Sequence, residues 1–184
     1  GTLTKGVFKV QQIKSLGMPE NEWLPMAAAL EANSTHPIAK AVVEYAGDRG
    51  KDIKVDQLEE ISGQGIKGIF QGKEVLAGNL TLIESRKINI PPELRDIVDS
   101  IVIVAINGQL AGYITIADEI KEDSKEAIRH FQDRKIETIM LSGDKQAVVE
   151  TEAKELGIDK ANAGLLSEHK VQKLEEIKGN GSKV

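Results

Sequence analysis

Gly63-Gln64-Gly65-Ile66-Lys67-Gly68-Ile69-Phe70-Gln71-Gly72-Lys73-Glu74-Val75-Leu76 is the stretch on which the reading of this chain turns. Its first six residues spell G-x-G-x-x-G, the spacing of a dinucleotide-binding loop. That loop needs a strand before the glycines and a helix opening at them, so that the pyrophosphate meets a helix N-terminus. Here two short apolar-bearing runs, Ile66 to Phe70 and Lys73 to Leu76, flank Gln71-Gly72, which reads as a β-hairpin. The motif is strand–loop–strand, and any nucleotide bound there is held by a different geometry.

Upstream, Gly6 to Ile13 alternates apolar and polar residues and predicts a strand with Val7, Phe8, Val10 and Ile13 as its apolar positions. Pro19-Glu20-Asn21 opens a helix through Trp23, Leu24, Met26 and Leu30. Thr35-His36-Pro37 starts a second, because proline suits the first helical turn. That helix carries Ile38, Val42 and Tyr45 on one face and stops near Gly47 to Gly50. Ile53 to Ile61 reads as the strand before the glycine loop.

Downstream, Gly78-Asn79 precedes a short helix through Leu82 and Ile83, and Pro91-Pro92 opens a short helical or irregular segment. Ile101 to Ile106 and Leu110 to Ile116 form a second hairpin around Asn107-Gly108. After Ala117 the pattern changes. Lys121 to Arg134 predicts an amphipathic helix with Ala127, Ile128 and Phe131 inward. Thr138 to Leu141 is a short buried strand ending at Ser142-Gly143-Asp144. Gln146 to Leu156 is a helix stopped by Gly157, and Glu168 to Lys178 is the last helix. The fold class is α/β: an antiparallel sheet with flanking helices, then a parallel α/β layer, with the boundary near Ile116 to Ile120.

The chain has 184 residues, 40% hydrophobic but only 3% aromatic, so the core is aliphatic. A net charge of -5 argues against a nucleic-acid partner, which calls for a concentrated basic surface. No apolar run approaches the roughly 20 residues that span a bilayer. There is no cysteine, which removes disulfides and thiolate metal sites. The chain starts at Gly1 without methionine and ends at Val184 within an apolar-looking pattern, so it is read as a piece of a longer protein.

Four groups of residues could carry chemistry. Glu31 and His36 bracket a polar turn between two helices. Glu31 opposes the dipole of its own helix at roughly 0.3–1 kcal/mol. A carboxylate that accepts from an exocyclic amine and an imidazole that stacks on a ring suit a purine; the plainer reading is a solvated Glu31 and a His36 that caps its helix. Gly63 and Gly65 let backbone approach a ligand closely, or are an ordinary loop. Gly78-Asn79 is a further weak element, or a turn plus N-cap. Ser142-Gly143-Asp144 sits where open α/β sheets bind ligands, and suits a phosphoryl group with Lys170 as cation. Alternatively Asp144 caps the following helix and Lys170 faces solvent. His130 and His169 read as surface residues. No His, Asp or Glu grouping has metal-ligand spacing.

As an ordered set these pieces resemble the cytoplasmic ATP-binding region of a heavy-metal-transporting P-type ATPase. Gly1-Thr2-Leu3-Thr4 resembles the tail of that family's Asp-Lys-Thr-Gly-Thr-Leu-Thr signature. Glu31 with His36-Pro37 is similar to its adenine-binding glutamate and histidine-proline motif, Gly63-Gln64-Gly65 to its glycine loop, and Gly78-Asn79 to its glycine-asparagine pair. Asp118 with Lys121, then Ser142-Gly143-Asp144, then Lys170, follow the order of its phosphorylation-domain motifs.

The resemblance implies a nucleotide domain over residues 6–115. It implies a partial phosphorylation domain, resembling haloacid dehalogenases, over residues 1–5 and 116–184. It makes Glu31, His36, Gly63, Gly65, Gly78 and Asn79 the ATP contacts, and Thr2, Ser142, Gly143, Asp144 and Lys170 the phosphoryl-site candidates. Gly68 belongs to the hairpin and not to the ligand.

Ser142 stands where the family has threonine, Lys145 where it has asparagine, and Ser167-Glu168-His169-Lys170 where it has Pro-x-Asp-Lys. The family's nucleophilic aspartate would precede Gly1 and its Gly-Asp-Gly magnesium motif would follow Val184. The expectation is therefore ATP binding without an aspartyl-phosphate, an incomplete Mg²⁺ site, and a monomeric fragment. Its partners are ATP and the membrane and actuator parts of an integral membrane protein, in whose cytoplasmic region it lies. Asp118-Glu119-Ile120-Lys121 and Thr4-Lys5-Gly6-Val7 resemble zinc, cadmium and lead exporters more than copper ones. The alternatives are a copper-type fragment, a stand-alone haloacid-dehalogenase-type phosphatase, for which an Asp-x-Asp motif is lacking, and an acidic docking module.

Overall fold

A computed structural model of the chain describes residues 2–179. Gly1 of the Gly1-Thr2-Leu3-Thr4 stretch lies outside the described residues, as do residues 180–184. The chain divides into two compact units, one from Leu3 to Glu119 and one from Ile120 onward together with Thr2.

The first unit is a six-stranded sheet in the order β1-β6-β5-β4-β3-β2. Its strands are β1 (Thr4–Ser15), β2 (Asp56–Ile61), β3 (Gly65–Phe70), β4 (Lys73–Gly78), β5 (Ser100–Ile106) and β6 (Gln109–Ile120). From β2 to β6 every neighbouring pair is antiparallel. The two expected hairpins form on two-residue turns. Phe70 faces Lys73 across Gln71-Gly72, and Ile106 faces Gln109 across Asn107-Gly108. All four turn residues have positive φ, 49° and 76° in each turn. That mirror-image turn matches the twist of the strands, and glycine at the second position meets its steric demand.

The central strands are apolar on both faces. Val75 and Ala77 of β4 join Val102, Val104 and Ile106 of β5 and Ile114 and Ile116 of β6 in one cluster. That cluster is closed by α1 (Glu20–Glu31) and α2 (Pro37–Ala46), through Trp23, Leu24, Leu30 and Val42. The alternate residues, Leu76, Ile103, Ala105 and Tyr113, pack on the other face against Ile83 of α3 (Leu80–Ser85) and Leu94 of a 3₁₀ turn (Pro92–Leu94). Strands covered on both sides need side chains inward on both faces, hence their continuous hydrophobic runs.

Trp23 is fully buried, and its indole N–H donates to Ser15 Oγ at 3.0 Å. The ring lies against Gly112 of β6, where an added Cβ would stand 2.5 Å from Trp23 Cε2. At Gly68 a Cβ would meet Val55 Cγ1 at 2.3 Å and Leu30 Cδ2 at 2.9 Å. Gly68 is therefore a packing residue that seats α1 on β3.

The second unit holds α4 (Glu122–Asp133), α5 (Gln146–Leu156), α6 (Ser167–Gly179) and a parallel pair of strands, β7 (Ile139–Leu141) and β8 (Lys160–Asn162). The Asp159 carboxylate clamps the start of the pair, accepting from Thr138 N–H and Thr138 Oγ1, each at 2.8 Å. Those bonds, the backbone one first, hold its pKa below the ordinary carboxylate value. Gly157 ends α5 in the left-handed region with φ 77°.

Several apolar positions of the predicted elements face out. Val7 lies on the edge strand β1 and is exposed, whereas Phe8, Val10 and Ile13 pack on the core. Tyr45 is exposed under the Arg49 guanidinium, 5.4 Å from its ring centroid. In α4 only Ser124 and Ile128 are buried; Ala127 and Phe131 are exposed. Among the described residues the two short strands of this unit offer too narrow a surface to cover a full helix face. The strand predicted from Ile53 begins only at Asp56, and its register shifts between Asp56 and Glu59, where Gln57 has φ 48°.

Gly112→Ala pushes a methyl group into the Trp23 indole. It is expected to lower stability by about 1–3 kcal/mol, the usual range for overpacking. Trp23 is the sole tryptophan, so urea unfolding followed by its fluorescence measures the change. An unchanged midpoint would show that the indole does not need this space.

Candidate functional site

The glycine loop and the Gly78-Asn79 pair form one backbone crossing. Gly65 at the start of β3 lies directly opposite Gly78 at the end of β4. A Cβ on Gly65 would stand 2.3 Å from the Ala77 carbonyl oxygen and 2.5 Å from Gly78 Cα; one on Gly78 would stand 2.3 Å from the Gln64 carbonyl oxygen. These glycines are therefore demanded by each other's backbone. Gly63 differs, with φ 69° and nothing within 4 Å of its added Cβ.

Asn79 ties the crossing together. Its N–H donates to Gln64 O at 2.8 Å and its Nδ2 to Gly63 O at 2.9 Å. Its Oδ1 accepts from Leu82 N–H at 3.1 Å, capping α3. Both ends of the amide are engaged, so Asn79 holds the loop in shape, while the open part of the loop is Gly63.

Glu31 is the last residue of α1 and is only 7% exposed. The next turn is closed by Asn33, whose Nδ2 donates to Ala29 O at 2.9 Å. Among the described residues no group donates a hydrogen bond to the Glu31 carboxylate. Burial first, and the Glu60 carboxylate second, push its pKa from 4.5 up to about 7. Glu60 is on β2, opposite Ile66, and Ile61 beside it is opposite Gly65. That register brings the end of α1 and the glycine crossing to one end of the sheet.

His36 is the N-cap of α2, with Pro37 in the first turn. Its Nδ1 accepts from Ile38 N–H at 3.2 Å, and its own N–H donates to Ser34 Oγ at 3.2 Å. Acceptance at Nδ1 places the ring proton on Nε2. The cap fixes the imidazole by one edge and the residue stays exposed. The capping and ligand readings are thus compatible, because the cap orients a ring that remains accessible.

In the second unit Ser142 is buried at the end of β7, and its Oγ–H donates to Asp144 Oδ2 at 2.7 Å. Asp144 N–H donates back to Ser142 Oγ at 3.2 Å. Asp144 does not cap α5; Lys145 holds that position without a side-chain bond. The loop before α6 is bound to this turn, Leu165 N–H donating to Ser142 O and Gly164 N–H to Asp144 O, each at 2.9 Å. Gly143 lies against Leu165 O, 3.3 Å from its added Cβ. Lys170 is half-buried in the first turn of α6, with no hydrogen bond or ion pair to Ser142 or Asp144 among the described residues. Thr2 is exposed, and its carbonyl accepts from Lys121 Nζ at 2.9 Å.

Glu60 and Ser34 shape the first site without having been singled out in the sequence. Ser34 sits in the polar turn already noted, and Glu60 in a Glu59-Glu60 doublet just before the glycine loop. Among the described residues no three His, Cys, Asp or Glu side chains gather as a metal site, and no helix is long and apolar enough to cross a membrane.

Over residues 1–184 the chain matches the family described as haloacid dehalogenase-like hydrolase. It is similar to the zinc-transporting ATPase of Synechocystis sp., at 42% identity over 179 residues, covering 96% of this chain and 24% of that one. The cadmium, zinc and cobalt-transporting ATPase of Bacillus subtilis is 40% identical, covering 96% and 25%. The copper-exporting P-type ATPase of Vibrio cholerae is 35% identical, covering 100% and 21%. Among solved structures, the catalytic domain of the CPx-ATPase CopB-B, described for its conformational changes upon nucleotide binding, superposes with a TM-score of 0.74 at 32% identity, covering 100% of this chain and 66% of that one. The chain spans about a quarter of the length of these curated relatives.

The raised Glu31 pKa has a thermodynamic consequence. Its stabilising contribution as a neutral acid is fully present below pH 4.5, where folded and unfolded chains both hold the proton, and is lost as pH rises through about 7. Glu31→Gln is expected to stabilise the chain at pH 8 by on the order of 2–3 kcal/mol, and by much less near pH 4.5. Urea unfolding at the two pH values checks this; equal effects at both would remove the electrostatic explanation.

Proposed function

The chain belongs to the haloacid dehalogenase-like hydrolases, among the cytoplasmic domains of heavy-metal P-type ATPases, and on that premise we propose that it is the ATP-binding part of a metal-cation-exporting ATPase. The observation that carries the reading is the buried Glu31 carboxyl, to which none of the described residues donates a hydrogen bond, beside Glu60 at the end of the sheet where Gly65 crosses Gly78; an exposed, cap-oriented His36 imidazole follows it in the chain. A purine supplies what the carboxyl lacks, since its exocyclic amine is a donor. The His36 ring stacks on it or hydrogen-bonds through Nε2. Gly63 leaves backbone open for the ribose and inner phosphates, with Gly65, Gly78 and Asn79 keeping that backbone in place.

Phosphoryl transfer relies on positioning and charge stabilisation more than on covalent chemistry from the protein. Thr2, Ser142, Gly143, Asp144 and Lys170 are the residues assigned to it in the whole enzyme. Ser142 offers a hydroxyl held by Asp144, and Lys170 a cation. In enzymes of this kind magnesium supplies positive charge to the transferred phosphoryl group. Residues 6–115 act as the nucleotide domain, and residues 1–5 with 116–184 as part of the phosphorylation domain. The whole protein is an ATP-hydrolysing translocase of the membrane with this region on its cytoplasmic side. Zinc or cadmium is the favoured cargo, supported by 42% and 40% identity to relatives named for those ions against 35% for a copper exporter.

Calorimetric titration of ATP and GTP into the isolated chain tests the nucleotide reading. ATP is expected to bind in preference to GTP. His36→Ala should weaken ATP by about tenfold, the worth of one good polar or stacking contact. His36→Asn keeps an N-cap oxygen and so separates lost recognition from a lost cap. Equal binding of both nucleotides, or of neither, would overturn the proposal.

A further inference from the structure

Glu31 sits where a carboxylate is poorly supported. It is 7% exposed, it ends a helix whose dipole is negative at that end, and no donor reaches its oxygens among the described residues. The charged groups around it do not help. Glu60, on β2, repels it. Lys67 of β3 is paired with Glu59 at 2.8 Å, and Glu44 of α2 with Lys9 at 3.5 Å. Arg49, beyond α2, pairs with Glu20 at the far end of α1, at 3.3 Å. Lys40 of α2 is exposed, Lys73 and Glu74 begin β4 at the end away from Gly78, and β5 carries no charge.

We infer that Glu31 receives adenine as a neutral carboxylic acid, donating through its hydroxyl to ring N1 while its carbonyl oxygen accepts from the exocyclic amine. The inference rests on the adenine reading given above and specifies the state of its recognition residue. Adenine presents a donor and an acceptor side by side. A carboxylic acid presents the matching acceptor and donor, so both hydrogen bonds form. A carboxylate presents two acceptors; one meets the amine and the other faces the N1 lone pair. Guanine has two adjacent donors on its N1 and N2 edge, so an ionised Glu31 would suit that base better. The proton on Glu31 thus removes an advantage that guanine would otherwise hold. The pKa of about 7 in the ligand-free chain makes the neutral form abundant near neutrality.

The test is ATP binding to the isolated chain at pH 6, 7 and 8, for the wild type, Glu31→Gln and Glu31→Ala. Glutamine carries the same acceptor and donor at every pH. Whatever pH does to the ligand and to the rest of the site is common to both proteins, so the ratio of wild-type to Glu31→Gln affinity isolates the Glu31 proton. That ratio is expected to fall about tenfold between pH 6 and pH 8. The carboxyl carbon of Glu31, followed by NMR, is expected to titrate at higher pH with ATP bound than without. A ratio that stays level or rises, with Glu31→Ala still weakening ATP, overturns this inference alone. Glu31→Ala without effect on ATP overturns the adenine site and this inference with it.

Discussion

Gly65 and Gly78 lie backbone to backbone with no side chain between them, and this end of the sheet depends on that contact. With the Ala77 and Gln64 carbonyls only 2.3 Å from where side-chain carbons would stand, neither position tolerates even alanine without moving a strand. The close approach lets Asn79 reach back to Gln64 and Gly63, and the same amide starts α3. Loop shape, strand register and helix start are therefore set by one steric condition. Glycine here permits packing of chain on chain, and only Gly63 keeps the openness usually credited to a glycine-rich loop.

A second constraint is electrostatic. Glu31 is buried at the negative end of its helix, beside another carboxylate, and none of the described residues donates a hydrogen bond to it. A chain selected for stability alone has no reason to keep an acid there. Local rules are broken most often where a site needs the broken rule, with the cost carried by the rest of the fold. The surrounding aliphatic clusters on both faces of the sheet supply that support.

Much of the architecture was legible because its signals are local. Gln71-Gly72 and Asn107-Gly108 mark their turns by residue type, Pro37 marks a helix start, and Gly157 a helix stop. Gln146 to Leu156 was readable residue for residue. What escaped depends on partners distant in sequence. Tyr45, Ala127 and Phe131 fit an inward stripe by period, but whether a stripe is covered is decided elsewhere in the chain. Glu60 influences Glu31 only through the β2–β3 register. Asp144 reads as a cap by position, but the Ser142 hydroxyl, two residues back, holds it first. The candidate pair Glu31 and His36 was visible as residues five apart; that one is buried and the other oriented by its own helix was not.

The way the six-stranded sheet ends has a bearing on self-association. Its two outer strands are β1 and β2. An uncovered strand edge is a template on which a second molecule can lay its own backbone. β2 breaks its ladder near Gln57, at φ 48°, and carries Glu59 and Glu60; β1 has Gly6 at φ 72° and carries Lys5, Lys9 and Lys14. Kinks and like charges along each rim make flat stacking of identical edges unfavourable. The borders of the sheet thus act as negative selection against fibril-type growth, in a molecule whose interior strands are as apolar as those that aggregate most readily.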